Sequence, residues 1–182
     1  FLSLPNSVKV VALADVMPEN RKRVGSAFDV HPTQRYTDYR DMLAKATLDA
    51  VSIATPHFLH AEQVIQAAEA GVAIISEKPM ATSLEEADAI LAAVKRNNVS
   101  YTVVHNLLFS LAMVESFAQL REGVVGKPIF GRSQAMGLKP ADLSAADWRA
   151  SKAAGGGCVI DTAYHEIYSV EALMGSPVRY VE

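Results

Sequence analysis

Short apolar runs that alternate with helical patterns through the first half of the chain constrain its fold more than any other feature. Val8 to Ala14, Ala50 to Ala54, Ala73 to Ser76 and Tyr101 to Val104 are rich in β-branched residues and alanine. They lack a strict polar alternation, as expected of strands covered on both faces. Between them lie helix signals. Met17-Pro18-Glu19 opens a helix with proline near its first turn, continuing to about Phe28. Gln34 to Thr37 reads as a short strand, and Asp38 caps a brief helix through Leu43. His60 to Ala70 places Ala61, Val64, Ile65 and Ala68 at helical spacing, with Gly71 where a C-terminal glycine belongs. Ser83 and Glu86 form a capping box ahead of the stripe Leu84, Ala87, Ile90, Leu91, Val94, which runs to about Asn97. Strand, helix, strand in this order predicts an α/β fold with βαβ units and a parallel sheet.

Past residue 105 the rhythm changes. A helix near Leu111 to Arg121 leads through Gly123 and Gly126-Lys127-Pro128 to a longer strand, Ile129 to Met136. Gly137 to Ala154 reads as loop with a helical turn around Trp148. Gly155-Gly156-Gly157 introduces a final long helix with Val159, Ile160, Ala163, Ile167, Val170 and Leu173 at helical spacing. The expected division is one domain over residues 1–104 and the start of a second over residues 105–182.

Composition narrows the function classes. Half the residues are apolar, enough for a core, and a formal net charge of −3 leaves no basic footprint for nucleic acid. Arg21-Lys22-Arg23 reads as a solvated helix face. No apolar run approaches the roughly 20 residues that span a bilayer, and no export leader is visible. The single cysteine, Cys158, excludes an internal disulfide framework and suits a reducing compartment, so the expected location is cytoplasmic.

Several constellations can carry chemistry. Glu77-Lys78-Pro79 ends the third apolar run, and in open α/β sheets the C-terminal strand ends line the ligand crevice. Lys78 there is either a functional ammonium or only the first polar residue after a buried strand. Asp15 ends the first run, where a carboxylate can accept hydrogen bonds from a ribose diol or simply serve a turn. A ribose role for Asp15 would favour NAD over NADP. Thr55-Pro56 ends the second run and is placed to line the crevice, with His60 in the first turn of the next helix. His57 and His60, with no third ligand at suitable spacing, make a poor zinc site, and no metal is expected. The three glycines permit close backbone approach at a helix start, where free N–H groups favour a polar or anionic ligand. Asp161 and His165 lie four apart and share a helix face, either as an acid/base pair or as a solvated ion pair.

Taken in order, Ala50-Val51-Ser52-Ile53-Ala54-Thr55-Pro56 with His60, Glu77-Lys78-Pro79, the region Gly123 to Gly131, Trp148-Arg149, and Gly155-Gly156-Gly157 with Asp161 and His165 resemble the Gfo/Idh/MocA family. That family is named for glucose-fructose oxidoreductase, inositol dehydrogenase and rhizopine catabolism. The resemblance implies a Rossmann-type nucleotide-binding domain followed by a second α/β domain with an open, mainly antiparallel sheet. It implies hydride transfer between NAD, with NADP as the alternative, and a secondary alcohol of a sugar, inositol or related polyol. By similarity Lys78 polarises the reacting oxygen, His165 is the general acid/base, and Asp161 orients substrate or histidine. Asp15, Thr55, Pro56, His60, Glu77 and Lys78 fall on the cofactor side. A homo-oligomer, paired through the second sheet, is implied as well. The competing reading of the same fold is a non-catalytic nucleotide or sugar sensor.

The sequence departs from the family pattern in several places. No Gly-x-Gly-x-x-Gly occurs, and the chain opens at Phe1-Leu2-Ser3-Leu4-Pro5, as at the tail of the family's first helix. It closes at Val178 to Glu182, where a strand of the second sheet is expected to begin. The expectation is a fragment that lacks the pyrophosphate site and, alone, binds NAD poorly. Leu108 stands where arginine is common, and Ala163 where glycine is usual.

Overall fold

The computed structural model describes residues 7–135 and 148–181. Its organising element is a parallel sheet in the order β3 (Ala50–Ile53), β4 (Ala73–Ser76), β5 (Tyr101–Val103). The register pairs Val51 with Ile74 and Ile75 with Thr102. The ladder extends past the strands, since Glu77 N donates to Ile53 O and Val104 N to Ser76 O. Two crossover helices, α3 (His60–Glu69) and α4 (Leu84–Asn97), join these strands and pack against each other. A second pair, β1 (Leu13–Ala14) and β2 (Arg35–Tyr36), is also parallel and is served by α1 (Pro18–Ala27) and α2 (Tyr39–Lys45).

Local chemistry explains most boundaries. Asp38 caps α2 by accepting from Arg40 N, Gly71 takes the left-handed conformation after α3, and Ser83 Oγ accepts from Glu86 N at 3.2 Å. The reciprocal half of the capping box is displaced by one residue: Glu86 accepts from Thr82 N and Thr82 Oγ1 instead of from Ser83 N. The core lies between α3, α4 and the sheet, with Val64 and Ile90 at 0% exposure and Ile74 at 2%. Only part of the predicted α4 stripe is inward. Ile90 is buried and Ala87 and Val94 are half-buried, while Leu84 and Leu91 stand in solvent; Ala93, outside the stripe, is buried as well.

Three strand expectations change. Val8 to Val11 does not join the sheet, because β1 finds a partner only over Leu13 and Ala14. The expected strand Ile129 to Met136 forms no ladder over residues 129–135, and Ile129 and Phe130 are exposed. Val178 to Val181 is likewise unpaired. Both segments have strand-forming side chains, but no partner edge reaches them, so the anticipated antiparallel sheet has no strand among the described residues. Met136, residues 137–147 of the expected loop, the opening Phe1–Pro5 and Glu182 lie outside the described residues.

The C-terminal half contributes α5 (Leu111–Arg121), as expected, and then a π-helical turn, Val159–Ala163, that leads into α6 (Tyr164–Met174). The stripe expected along this last helix is buried only in part, with Ile160, Ala163, Val170 and Leu173 half-buried. Val159 and Ile167 are exposed, whereas Tyr168 is buried. The inward side of the helix therefore carries aromatic as well as aliphatic groups.

Truncating Ile90 to alanine should lower the free energy of unfolding by about 2–5 kcal/mol, as for other filled core positions, when followed by chemical denaturation.

Candidate functional site

Four chain segments converge at the C-terminal ends of β3 and β4: the turns after these strands, the helical turn Trp148–Ala150, and the start of the last helix. Lys78, directly after β4, reaches across 83 residues of sequence. Its ammonium sits 2.9 Å from Asp161 Oδ1 and also donates to the Asp161 carbonyl oxygen. Both side chains are largely withdrawn from solvent, at 15% and 25% exposure. The Lys78–Pro79 peptide is cis.

The Asp161 carboxylate is the hub. His57 Nε2 lies 3.6 Å from Oδ1, and Arg149 Nε lies 3.8 Å from Oδ2. Burial pushes the Asp161 carboxyl up, but the Lys78 hydrogen bond and charge, with His57 and Arg149, outweigh it and hold the group below the ordinary carboxylate value. His57 is 4% exposed and fixed on three sides. Its Nδ1 donates to the Gly155 carbonyl at 2.8 Å, and its ring meets the edge of Trp148 at 4.4 Å and the ring of His60 at 5.7 Å. The Arg149 guanidinium covers Trp148.

The glycines fit this packing closely. Gly155 has φ +73°, and a Cβ on Gly156 would stand 2.4 Å from the Arg149 carbonyl oxygen, a backbone atom that cannot swing away.

The remaining candidates fall in distinct places. His165, on α6, hydrogen-bonds through Nδ1 to the Tyr168 hydroxyl at 2.7 Å. Although Asp161 and His165 share this segment as expected, the Asp161 carboxylate pairs with Lys78 rather than with His165, because the lysine supplies a full charge at hydrogen-bond distance. His60 does not line a crevice. It is 0% exposed, with Nδ1 against the Pro79 carbonyl at 2.7 Å and Nε2 against the Thr55 carbonyl at 2.9 Å. With both nitrogens so used, it braces the two strand-end turns and has no face left for a ligand. Thr55 Oγ1 donates to Gln63. Glu77 accepts from the Lys78 backbone N–H. Asp15 accepts from Met17 N at 2.7 Å and Asn20 Nδ2 at 3.1 Å, which ties the end of β1 to the start of α1.

Sequence reasoning missed His57, considered only as a zinc ligand, and Tyr168. The signal for Tyr168 was its spacing, three residues after His165 and seven after Asp161, on one helix face. Among the described residues no cluster suits a metal ion, and no helix is long and apolar enough to cross a membrane.

A groove of about 500 Å³ runs between the β1 and β3 edges, lined by residues 8–15 and 50–55, so Asp15 and Thr55 stand at its rim. The groove lining thus includes the Asp15 carboxylate and the strand-end residues up to Thr55, while the Lys78 ammonium is held separately on Asp161.

Residues 1–105 match the family described as an oxidoreductase family with an NAD-binding Rossmann fold, and residues 117–182 match the GFO/IDH/MocA C-terminal domain. The chain belongs to the Gfo/Idh/MocA oxidoreductase family. It is 37% identical over 127 residues to D-apiose dehydrogenase of Paraburkholderia graminis, covering 70% of this chain and 33% of that protein. It is 37% identical over 141 residues to levoglucosan dehydrogenase of Pseudarthrobacter phenanthrenivorans, covering 76% and 36%. The chain therefore spans about a third of these relatives' length. Among solved structures, the WlbA dehydrogenase from Bordetella pertussis in complex with NADH and UDP-GlcNAcA superposes with a TM-score of 0.78 at 27% identity, over 93% of this chain and 48% of that one.

Burial lowers the pKa of His57, His105 and His165, with the charge of Lys78 adding to the effect on His57 and His165. A histidine depressed in the folded state is protonated first in the unfolded chain. Its stabilising share is complete above the ordinary value of 6.5 and is lost as pH falls toward the folded-state value. Melting temperature should accordingly drop on acidification from about pH 7 to pH 5, and His57→Gln should flatten that dependence.

Proposed function

We propose that this chain carries the cofactor rim and proton-transfer residues of an NAD-dependent dehydrogenase that interconverts a secondary alcohol and a carbonyl on a sugar or related polyol. The observation that carries this reading is the Lys78–Asp161 pair, which fastens a strand-end ammonium beside the helix that bears His165. Residues 1–104 would be the nucleotide-binding domain and residues 105–182 the beginning of the substrate domain.

Bound at the strand ends, the nicotinamide supplies the hydride acceptor or donor. Lys78 stabilises negative charge on the reacting oxygen, an electrostatic task that is strengthened by partial burial. His165 takes the hydroxyl proton in oxidation and returns it in reduction. Its lowered pKa keeps the ring neutral at pH 7 and ready to accept. Asp161 holds the Lys78 ammonium in position. His57 and Trp148-Arg149 support Asp161 from the opposite side. Thr55 and Pro56 offer backbone to the nicotinamide side, His60 fixes that turn, and Asp15 faces the adenosine ribose.

The surroundings proposed for this chemistry are a cytoplasmic homo-oligomer. Its support is the lone exposed thiol and the apolar groove of about 480 Å³ where exposed Ile129 and Phe130 meet Val170, Leu173 and Met174.

Turnover of sugar alcohols with NAD is the test. Lys78→Ala and His165→Ala should each reduce kcat by about 100-fold or more. Full turnover in either variant rejects the role assigned to that residue. Asp15 should repel a 2′-phosphate, so NAD should bind more tightly than NADP in fluorescence titrations, and Asp15→Asn should narrow the difference.

A further inference from the structure

His165 has one ring nitrogen spoken for. Nδ1 lies 2.7 Å from the Tyr168 hydroxyl, and that hydroxyl also accepts weakly from the Leu107 N–H at 3.4 Å. Tyr168 is itself immobilised. It is buried, with its ring 4.6 Å from His105 and 5.4 Å from Tyr164. The fixed phenol therefore sets both the tilt and the hydrogen-bonding partner of the imidazole.

We propose that Tyr168 is the positioning residue of His165: its hydroxyl accepts from Nδ1–H, holding the neutral ring in the tautomer whose Nε2 lone pair is free to take a proton. This inference rests on the acid/base reading of His165. Oxidation of an alcohol requires an open lone pair on the nitrogen that meets it, and Nδ1 is occupied. When Nε2 gains the proton, Nδ1–H still donates to the same oxygen, so the bond does not have to be remade between the two charge states. In reduction the proton leaves Nε2 and the same arrangement is restored. A carboxylate in this place would also fix the ring, but it would stabilise the imidazolium and raise its pKa. The neutral phenol orients without doing so. The other groups that bear on His165 are Lys78, which disfavours its charged form, and Asp161, Glu166 and Glu77, which favour it. Burial and Lys78 prevail.

The ring nitrogens of His165 can be read directly by ¹⁵N NMR of the uniformly labelled chain, with no need for turnover. Above the histidine pKa the expected spectrum has a protonated Nδ1 and an unprotonated Nε2. Tyr168→Phe, which removes only the hydroxyl oxygen, should move the ring toward the Nε2–H form preferred by free histidine. Tyr164→Phe, a neighbour without that hydrogen bond, should leave the ring unchanged and controls for general disturbance of the helix. An Nε2–H tautomer in the unmodified chain, or no response to Tyr168→Phe, overturns the proposal. Tyr168→Asp should raise the pKa read from the same nitrogens, and an unaltered titration counts against the phenol as the neutral partner. In turnover assays Tyr168→Phe should lower kcat by about 10-fold with little change in KM, the size expected for one lost hydrogen bond. A His165→Ala variant with full turnover would reject the acid/base reading while the NMR result still stood, so the two failures are distinguishable.

Discussion

The contact between Lys78 and Asp161 is the constraint on which the rest of the site depends. It joins the end of a central strand to the first turn of the last helix, and in doing so it fixes where His165 begins. Removing water from an ion pair is costly unless geometry and further hydrogen bonds compensate. Here the ammonium has two oxygens of one residue as acceptors, and the carboxylate has His57 and Arg149 beside it. The single carboxylate is thus shared by two cations, Lys78 and Arg149, with His57 beside it. That arrangement leaves a net positive region at the strand ends, suited to an oxygen that gains negative charge during reaction.

The support beneath this pair is also polar. His60 and His57 lie at the back of the strand-end turns and use their rings to hold carbonyl oxygens in place. Buried polar groups of this kind cost free energy when unpaired, and here His57 Nδ1 and both His60 ring nitrogens lie 2.7 to 2.9 Å from carbonyl oxygens. The parallel sheet provides position, and the buried histidines convert that position into fixed turns. Among the buried ring nitrogens of the described histidines the exception is His105 Nδ1, which has no hydrogen-bond partner and lies against the Tyr164 and Tyr168 rings.

Much of the α/β frame was legible in the sequence, for physical reasons that can be traced to particular residues. Ala73–Ser76 and Leu111–Arg121 matched their expected spans because their patterns are bounded by local signals. The family resemblance was equally readable in Lys78, Asp161 and His165, whose spacing survives without the glycine-rich turn. Less visible were features set by partners distant in sequence. Ile129 and Phe130 have strand-forming side chains, yet pairing requires an edge that composition cannot supply. His60 looked like a first-turn residue open to a ligand, and only three-dimensional packing shows both nitrogens facing carbonyls. Tyr168 escaped notice because apolar periodicity pointed to a different face of the same helix.

The groove between β1 and β3 has a consequence for the behaviour of the polypeptide itself. Each bordering strand is hydrogen-bonded on one side only, to β2 and to β4 respectively. Among the described residues, the outer edges of β1 and β3 have no ladder partner and border a space lined by Val11, Leu13, Val51 and Ile53. Proteins usually shield such edges with charge, proline or a covering element, because an unshielded edge recruits extended chain from its surroundings. Apolar side chains here make the space more receptive. An extended segment entering this space could pair with either edge while its side chains met apolar walls, so the groove is shaped to take an added strand.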